Sequence, residues 1–251
     1  MHRVLRCMVL ALTLLIPAPR AQANETLIFG LPQEPPWTFE NTDGSLSGLS
    51  YEVGEALSRS SGLSFTYERY PFIRSRVALE DGSIDLAMLF PTEATRQKVL
   101  IVAPLAVLSI ILLPNVNGSY RTLSDFEGKT VAVQRGTEYD ERLTGNAAIG
   151  KDLVTSFASG LRMAHAGRVA GVAGSDVALY YTMKTLGLKR QNFGPPLILT
   201  QRAIPLLLGK KRATPDLVAR LKAAADSLRN AGIFDDIVAK YTDPDQAMRQ
   251  P

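Results

Sequence analysis

Residues able to carry covalent or metal chemistry are scarce in this 251-residue chain. Its single cysteine, Cys7, lies in a segment that we expect to be removed, and His165 is then the one remaining histidine. A cysteine nucleophile, a thiolate metal site and a multi-histidine metal site are therefore excluded, and a Ser-His-Asp triad would depend on one histidine in a predicted surface helix. Gly171–Gly174 follows a predicted strand but lacks the full dinucleotide fingerprint. We expect no catalysis, no metal and no cofactor.

The first 23 residues have the layout of a secretory signal peptide. Arg3 and Arg6 precede the apolar run Met8–Ile16, and Ala21–Ala23 offers small residues to a signal peptidase. A membrane anchor is the alternative, but a helix needs about 20 apolar residues to span a bilayer. We therefore predict cleavage after Ala23 and a periplasmic location for the mature protein.

The charge balance gives no sign of a polyanionic partner. Arg3, Arg6 and Arg20 belong to the predicted signal peptide, so the remaining chain holds 25 basic residues (28 less these three) against 24 acidic ones. A chain with a net charge of +1 has no general attraction for nucleic acid or for an anionic membrane. We expect a small polar solute as its partner.

Short apolar strands alternate with amphipathic helices along this remaining chain, a pattern typical of an α/β fold with a mostly parallel sheet. The side chains of Leu49, Val53 and Leu57 share one face of a helix that ends at Gly62. Strands are predicted at Thr26–Leu31, Ser64–Tyr70, Ile84–Phe90, Thr130–Gln134, Leu153–Phe157 and Val169–Ala173.

Cap signals mark where several helices begin. Thr214 followed by Pro215 predicts the clearest helix start, and Ser124–Glu127 has the spacing of a capping box. Thr137 is predicted to begin a helix after its strand. Further helices are predicted at Pro71–Glu80, Ser175–Leu186 and Phe234–Tyr241.

Two long apolar runs, Val102–Leu113 and Pro196–Leu208, interrupt this pattern. They are too short to cross a membrane, and we interpret them as extended segments that cross between two lobes. One lobe is predicted from residues 24–110 plus 203–251 and the other from residues 111–202. Because ligands of open α/β sheets bind beyond the carboxyl ends of the strands, a cleft between the lobes is the expected site.

Several short motifs occur in a fixed order along the chain, and they are Glu34–Phe39, Gly44–Glu52, Gly82–Asp85, Leu123–Thr137, Gly232–Phe234 and Lys240–Tyr241. Together they make the chain resemble the family 3 extracellular solute-binding proteins, the amino-acid receptors of bacterial ABC importers. The resemblance implies a periplasmic-binding-protein-like fold whose two α/β lobes close around a small solute. It also implies that the closed form is delivered to a membrane permease.

The same resemblance implies which side chains face the cleft. Phe72 matches the aromatic residue on which ligands of the family stack, and Thr92 matches a hydroxyl that contacts the ligand carboxylate. Arg96 resembles the arginine that clamps this carboxylate with two parallel N–H donors. Thr137 matches a hydroxyl at a helix start in the second lobe, where free backbone N–H groups favour an anion. A carboxylate-bearing, amino-acid-like solute is the ligand that this implies.

Departures from the family pattern leave several roles open. Counted from Asp85, Arg96 comes one residue earlier than the family's arginine, so Arg74 or Arg76 is the alternative clamp. Glu34 replaces the first aromatic residue of its motif and is either a cleft carboxylate or a solvated loop residue.

Three further positions are also open. Trp37 either lines the cleft or packs in the core. The family's aspartate for the ligand ammonium falls at Gly174 or Ser175, one step before Asp176. Asp176 in turn either contacts the ligand or charges a helix start.

The expected function is therefore solute binding by a monomer, without catalysis. The first alternative is an enzyme that resembles cyclohexadienyl dehydratases, with Glu34 and Asp176 as acid and base. The second is a periplasmic sensor that reports the ligand to a membrane partner. Both alternatives use the same fold, so the fold does not decide among them.

Overall fold

The computed structural model describes residues 26–118 and 120–242, so the predicted signal peptide and its cleavage site lie outside the described residues. Within those residues the strands are β1 (Leu27–Pro32), β2 (Phe39–Glu40), β3 (Leu46–Ser47), β4 (Phe65–Tyr70), β5 (Leu86–Met88), β6 (Val99–Pro114), β7 (Thr130–Gln134), β8 (Gly150–Val154), β9 (Gly171–Ser175) and β10 (Leu197–Gly209). The α-helices are α1 (Leu49–Ser61), α2 (Phe72–Asp81), α3 (Glu93–Arg96), α4 (Glu141–Thr144), α5 (Phe157–His165), α6 (Asp176–Thr185), α7 (Pro215–Asn230) and α8 (Ile233–Tyr241).

Eight of these strands form one mixed sheet in the order β4-β1-β5-β10-β6-β9-β7-β8. In its first half β1 pairs in parallel with β4 and β5, and in its second half β7 pairs in parallel with β8 and β9. The long strands β6 and β10 lie antiparallel between the two halves. This arrangement confirms the predicted α/β fold, in which two lobes are joined by two crossing segments.

The crossing strands β6 and β10 carry the chain between the lobes. β10 pairs with β5 at Leu206–Leu208, and β6 pairs with β9 at Ile110–Pro114. Register shifts interrupt the ladder between the two strands, and one of them lies between Ala203 and Pro205. Pro205 is the partner of Pro104 on the opposite strand. Because proline has no N–H to donate, the ladder is weakened at the middle of the crossing.

Helices cover the two halves of the sheet separately. α7 lies against α1, α8 and β6, whereas α5 lies against α6, β7 and β9. None of the helices within residues 26–118 and 120–242 is long and apolar enough to cross a membrane. The predicted lobe boundaries, after residue 110 and after residue 202, fall inside β6 and β10 and stay a prediction.

Aromatic side chains add a contact between α6 and the helices of the first half. The ring of Tyr181 on α6 stacks on Phe39 at 6.1 Å and also lies 6.1 Å from the ring of Tyr241 on α8. The Tyr241 hydroxyl accepts a hydrogen bond from the Gly48 N–H at 3.0 Å and donates to Glu52. Tyr241 of the closing Lys-Tyr motif therefore contacts both α6 and the segment around α1.

Local signals predicted several element ends correctly. Gly62 ends α1 in the left-handed conformation, with φ 66°. The Thr214 side chain accepts a hydrogen bond from the Leu217 N–H and Pro215 is the first residue of α7. Glycine tolerates positive φ and proline fits the first helical position, which is why these two signals are reliable.

Two local predictions were wrong because a neighbouring residue provides the cap. The box at Ser124–Glu127 does not form, since Thr122 and Asp125 make the reciprocal bonds around a short 3-10 helix at Leu123–Phe126. Thr137 does not begin a helix, because Asp140 caps α4 through the Arg142 N–H.

One predicted strand was displaced along the chain. The strand expected at Leu153–Phe157 ends at Val154, and Phe157 is already the first residue of α5. The Ser156 side chain caps this helix by accepting a hydrogen bond from the Ser159 N–H. Apolar character alone placed Phe157 in the strand, whereas a serine cap decides the boundary.

Candidate ligand-binding cleft

The loops that follow the parallel strands of the two lobes face each other. The strands of the first lobe end at Pro32, Tyr70 and Met88, and those of the second lobe end at Gln134, Val154 and Ser175. Ligands of parallel sheets bind beyond these carboxyl ends. The space between the two sets of loops is therefore the candidate site, and the contacts that cross it define its walls.

Glu34 reaches from the loop after β1 to the second lobe. Its Oε1 accepts a hydrogen bond from the Phe157 N–H at 2.9 Å, and its Oε2 accepts one from the side-chain amide of Gln134. Phe157 opens α5, so its N–H is one of the helix donors that have no partner within the helix. Burial raises the pKa of Glu34, although both hydrogen bonds act in the opposite direction.

Arg76 makes a second contact across the cleft. It lies on α2, its guanidinium stands 5.8 Å from the centroid of the half-buried Phe72 ring, and its Nη2 donates to the Gly136 carbonyl. Burial lowers the pKa of Arg76. Gly136 has φ 82°, and a Cβ atom there would lie 3.0 Å from the Ile73 side chain. Only glycine permits this close approach without strain.

Thr137 and Tyr139 belong to the turn that follows Gly136. The Thr137 hydroxyl donates to the Gln134 carbonyl at 2.6 Å, which closes the turn. Tyr139 is buried, and this burial raises the pKa of its hydroxyl. The predicted donor Thr137 is therefore bonded within its own lobe.

A cavity of about 430 Å³ opens between the lobes beside this turn. Its walls include Arg96 from the first lobe, Tyr139 and Arg142 from the second lobe, and Thr200 and Arg202 from the crossing strand β10. Pockets that hold small molecules begin at about 300 Å³. The cavity is therefore large enough for a solute of amino-acid size.

Arg202 joins the crossing strand to both sides of the cavity. Its guanidinium stands 4.9 Å from the centroid of the Phe90 ring, and its Nη1 donates to the carbonyls of Glu138 at 3.1 Å and Tyr139 at 3.0 Å. Burial lowers the pKa of Arg202 and the positive charge of Arg96 lowers it further, whereas the negative charges of Asp140, Glu138 and Glu141 act in the opposite direction. Three arginines, Arg96, Arg142 and Arg202, therefore line this cavity, together with the carboxylates of Glu93, Glu138, Asp140 and Glu141.

The predicted residues Thr92 and Arg96 lie at the two ends of α3. The Thr92 side chain caps this helix by accepting from the Thr95 N–H, and its hydroxyl lies 2.8 Å from that of Thr95. The Nε of Arg96 is 3.8 Å from a carboxylate oxygen of Glu93, and both side chains are exposed. Arg96 lines the cavity, whereas Thr92 does not appear among its walls.

The remaining predicted residues lie at the cleft margin or in the core. Trp37 is 7% exposed and packs in the main hydrophobic cluster. Ser175 is buried and caps α6 through the Ala178 N–H. Asp176 accepts from the Val177 N–H at 2.8 Å, and burial raises its pKa against the hydrogen bonds from Val177 and Ser109.

Sequence reasoning missed Arg202 and Gln134. The run Pro196–Leu208 was interpreted as an apolar crossing, yet Arg202 is its one charged residue and that exception was a usable signal. Gln134 is a buried polar residue at the end of an apolar strand. Such a residue requires a hydrogen-bond partner, but the sequence does not say that the partner is Glu34.

Two α/β lobes, a pair of antiparallel crossing strands and a cleft at the strand ends define a protein of the periplasmic-binding class. The sequence pattern of the bacterial extracellular solute-binding proteins, family 3, matches residues 27–244. The chain belongs to this family.

Curated relatives are transport-associated binding proteins. The chain is 26% identical over 210 residues to the putative amino-acid ABC transporter-binding protein PatH of Vibrio harveyi, which covers 82% of this chain and 84% of PatH. It is 27% identical over 132 residues to the L-cystine-binding protein TcyJ of Escherichia coli (strain K12), which covers 51% of this chain and 50% of TcyJ.

Solved structures with the same fold have varied functions. A histidine kinase sensor domain with similarity to periplasmic binding proteins has a TM-score of 0.74 at 20% identity, covering 87% of this chain and 96% of that one. An ancestral arginine-binding protein bound to glutamine has a TM-score of 0.71 at 21% identity, covering 86% and 97%. The ancestral amino acid-binding protein AncCDT-1, a precursor of cyclohexadienyl dehydratase, has a TM-score of 0.70 at 17% identity. This match covers 87% of this chain and 95% of that one. At these identities the likeness establishes the fold alone.

Proposed function

We propose that the protein captures a small carboxylate-bearing, amino-acid-like solute between its lobes and delivers it to an ABC importer. The observation that carries this proposal is that Arg96 and Arg202 both line the 430 Å³ cavity. Burial and the positive charge of Arg96 lower the pKa of Arg202, against the opposite effect of Asp140, Glu138 and Glu141. An anion between the two guanidinium groups relieves that repulsion, and a carboxylate matches their planar donor forks.

The other predicted residues complete the site in this proposal. Thr92 and Thr137 supply hydroxyl groups that exchange their internal bonds for the ligand once it is present. Phe72 supplies an apolar surface on the first lobe, and Ser175 and Asp176 border the cleft at the end of β9. Trp37 supports the Glu34 loop from the core. Its backbone N–H donates to the backbone carbonyl of Glu34 at 2.8 Å.

Binding without catalysis is favoured by the relatives and by the site. PatH and TcyJ are both named as binding proteins. The carboxylates of Glu34 and Asp176, the acid–base pair of the enzyme alternative, have different hydrogen-bond partners, with Phe157 for the first and Val177 for the second. We therefore propose no dehydratase activity. Transport is distinguished from sensing by uptake of the identified solute after deletion of the gene for this protein, because only a transport role requires that uptake be lost.

The proposal includes export and a monomeric mature form. Cleavage after Ala23 leaves Asn24 as the first residue of the exported protein. N-terminal sequencing of periplasmic material tests the cleavage, and a start at Met1 contradicts it. Size-exclusion chromatography with light scattering tests the oligomeric state, and a dimer mass contradicts that part of the proposal.

A thermal-shift screen of the standard L-amino acids and small dicarboxylates tests the ligand class. A ligand at 100 times its dissociation constant adds about 2.7 kcal/mol to the free energy of unfolding, which such a screen detects. Calorimetry then compares the wild type with Arg96→Ala for the best ligand. We expect affinity to fall about ten- to more than a hundredfold, because a charge-assisted bond contributes roughly 1.5–3 kcal/mol.

Arg59→Ala is the matched control, because Arg59 lies on α1 and pairs with Glu55 on the same helix. It should bind as the wild type does. Affinity of Arg96→Ala within twofold of the wild type contradicts a role for Arg96 and points to Arg202 or Arg76 as the clamp.

A further inference from the structure

A second cavity, of about 170 Å³, lies beside the larger cavity of about 430 Å³. The two cavities share the wall residues Pro91, Arg96 and Arg202. All the other walls of the smaller cavity are apolar, and they are Phe90, Ile101, Pro104, Ala203 and Pro205. This apolar cavity therefore carries charge only at the edge where it meets the larger one.

Irregular pairing of the crossing strands produces the wall that β6 contributes. The register shifts between Leu206 and Leu207 of β10, which leaves Val102 as an extra residue on β6. In a regular strand, residues three apart such as Ile101 and Pro104 point to opposite faces. A bulge changes the direction of the side chains around it, and here both residues line the apolar cavity. The cavity is therefore built into the crossing by its sequence.

Part of the apolar surface at this cavity is open to solvent. Ile101 is 50% exposed, although most apolar residues of β6 are buried. Ala203 contributes only a methyl group to the opposite strand, which leaves room beside it. Apolar side chains that are exposed in a concave site indicate a place for an apolar group of a ligand. Covering this surface is favourable because it removes apolar area from water.

Arg202 connects the apolar cavity with the polar one. Its guanidinium stands 4.9 Å from the centroid of the Phe90 ring, which is a wall of the apolar cavity. Its Nη1 donates to the carbonyls of Glu138 and Tyr139, which line the larger cavity. A carboxylate bound at this guanidinium therefore places the rest of its solute within reach of the apolar walls.

Phe72 is the competing apolar surface of the cleft. Its ring lies 5.8 Å from the guanidinium of Arg76, which also bonds to the second lobe. Phe72 lines neither the larger cavity nor the apolar one. An apolar group held at Phe72 is therefore away from Arg96 and Arg202, whereas the apolar cavity adjoins both.

We infer that the apolar cavity receives an aliphatic or aromatic side chain of the bound solute. The inference rests on the proposed function for the carboxylate at Arg96 and Arg202. An engineered apolar cavity of about 150 Å³ holds benzene, so this one has room for a branched aliphatic or a phenyl group. A polar side chain would lose its bonds to water there without finding partners. The solute is thereby an amino acid with an apolar side chain.

Calorimetry on the wild type with a series of side-chain lengths tests the inference. The probes are glycine, L-alanine, L-2-aminobutyrate, L-norvaline and L-norleucine. A buried methylene contributes about 0.8 kcal/mol, so affinity should rise about fourfold with each one added. L-leucine should also bind more than about tenfold tighter than L-asparagine, which has a similar shape but a polar amide.

The variant Ala203→Phe fills the cavity from β10. We expect its affinity for norleucine to fall about tenfold or more, because the methylene groups lose their place, while its affinity for glycine stays within about twofold. Val116→Phe is the matched control, since Val116 is 54% exposed, follows β6 and lines neither cavity. This control should bind norleucine as the wild type does.

Each outcome decides either this inference or the proposed function. Equal affinity for glycine and norleucine, or for leucine and asparagine, overturns the inference and leaves the proposed function intact. Ala203→Phe overturns the inference when it keeps wild-type affinity for norleucine or loses affinity for glycine equally, and so does Phe72→Ala when it abolishes the dependence on side-chain length. The series on the wild type decides alone if Ala203→Phe does not fold.

Leucinol separates the two proposals, because it replaces the carboxylate of leucine by an alcohol. If leucinol binds as tightly as leucine, the carboxylate of the proposed function is overturned and the apolar site stands. If leucinol binds at least tenfold more weakly and the series shows its rise, both are supported. Binding by none of these compounds overturns both.

Discussion

The two ends of the cleft join the lobes differently. The acidic end is formed by Glu34, Gln134 and Phe157. The basic end is named after Arg96 and Arg202, which lie beside the cavity. At the acidic end a side chain of one lobe bonds directly to the other lobe. At the basic end a space of about 430 Å³ separates the lobes.

The two ends also differ in which hydrogen-bond donors and charges surround their ionisable side chains. The acidic end supplies two neutral donors to the Glu34 carboxylate, whereas the cavity at the basic end is lined by three arginines and four carboxylates. The Glu34 carboxylate is thus hydrogen-bonded across the lobes, and the cavity offers groups of both signs to a ligand. In the proposed function, such a cavity selects a dipolar solute by the position of its charges.

The largest expected effect comes from the basic end. Arg202→Ala removes one of the three arginines at the cavity and the two bonds to the carbonyls of Glu138 and Tyr139. Calorimetry should show affinity for a carboxylate ligand reduced about ten- to more than a hundredfold. Arg202→Lys should recover little, because an ammonium lacks the planar fork that stacks and donates in parallel.

Arg220→Ala is the control for this loss. Arg220 also donates to a backbone carbonyl, that of Ser61 at 3.1 Å, but it lies on α7. It should keep the affinity of the wild type. Equal losses in both variants mean that the Arg202 effect comes from general destabilisation, and the contrast between the two ends then fails.

Gly136→Ala tests the close approach at the acidic end. Alanine at φ 82° is strained, and its Cβ would lie 3.0 Å from Ile73 and 3.2 Å from Arg76. We expect the free energy of unfolding to fall by about 1–2 kcal/mol, measured by urea denaturation. Gly128 has a similar φ of 71° but open space around it.

The comparison with Gly128→Ala separates the two causes. Both substitutions carry the backbone strain, but only Gly136→Ala disturbs the contact between the lobes. Gly136→Ala should therefore lose more ligand affinity than Gly128→Ala. Identical affinities in the two variants show that this contact does not contribute to the ligand-bound form.

The pH dependence of stability is a smaller test of the acidic end. Burial raises the pKa of Glu34 above its ordinary value of 4.5 in the folded protein. The folded state then binds the proton more tightly than the unfolded state, so stability falls as pH rises from 4.5 through the raised pKa. Glu34→Gln should lack this fall when urea denaturation is repeated across that range.

Asp125→Asn tests a carboxylate whose pKa is shifted in the opposite direction. Hydrogen bonds from the Arg121 and Thr122 N–H groups lower the pKa of Asp125. Its contribution to stability is present above pH 3.8 and is lost as pH falls through the lowered pKa. A Glu34→Gln profile that runs parallel to the wild type contradicts burial as the cause of the raised pKa.

The smallest effect is expected for Glu93→Gln. Glu93 and Arg96 form an exposed pair at 3.8 Å, three residues apart. Such pairs contribute about 0.2–0.5 kcal/mol, so urea denaturation should detect almost no change. Affinity for a carboxylate should stay equal or rise slightly, because Glu93 competes for Arg96. A loss above tenfold means that Glu93 itself contacts the ligand.

The elements of the fold could be predicted where their signals are local. The helix that starts at Thr214 and the one that ends at Gly62 each depend on a cap within a few residues. Such caps satisfy backbone groups of their own turn, so the sequence displays both partners. The helix start predicted at Thr137 was wrong because Asp140, three residues further on, provides the N-cap of α4.

The site was predicted less well because its contacts are distant in sequence. Glu34 is 100 residues from Gln134 and 123 from Phe157. No periodicity relates residues so far apart, and only the packing of two lobes brings them together. Arg96 came from the family resemblance, whereas Arg202 came from neither source, since its strand was judged by its apolar majority.

The paired crossing strands also limit how the two lobes can move. A single linker would let one lobe rotate about any axis, whereas two strands bonded along their length mainly permit bending and twisting. The facing prolines Pro104 and Pro205 donate no ladder bonds, so we expect the bending to concentrate near them. Opening and closing are thereby reduced to few degrees of freedom. A ligand that stabilises the closed form consequently gives up little rotational entropy of the lobes, which leaves more of its contact energy for affinity.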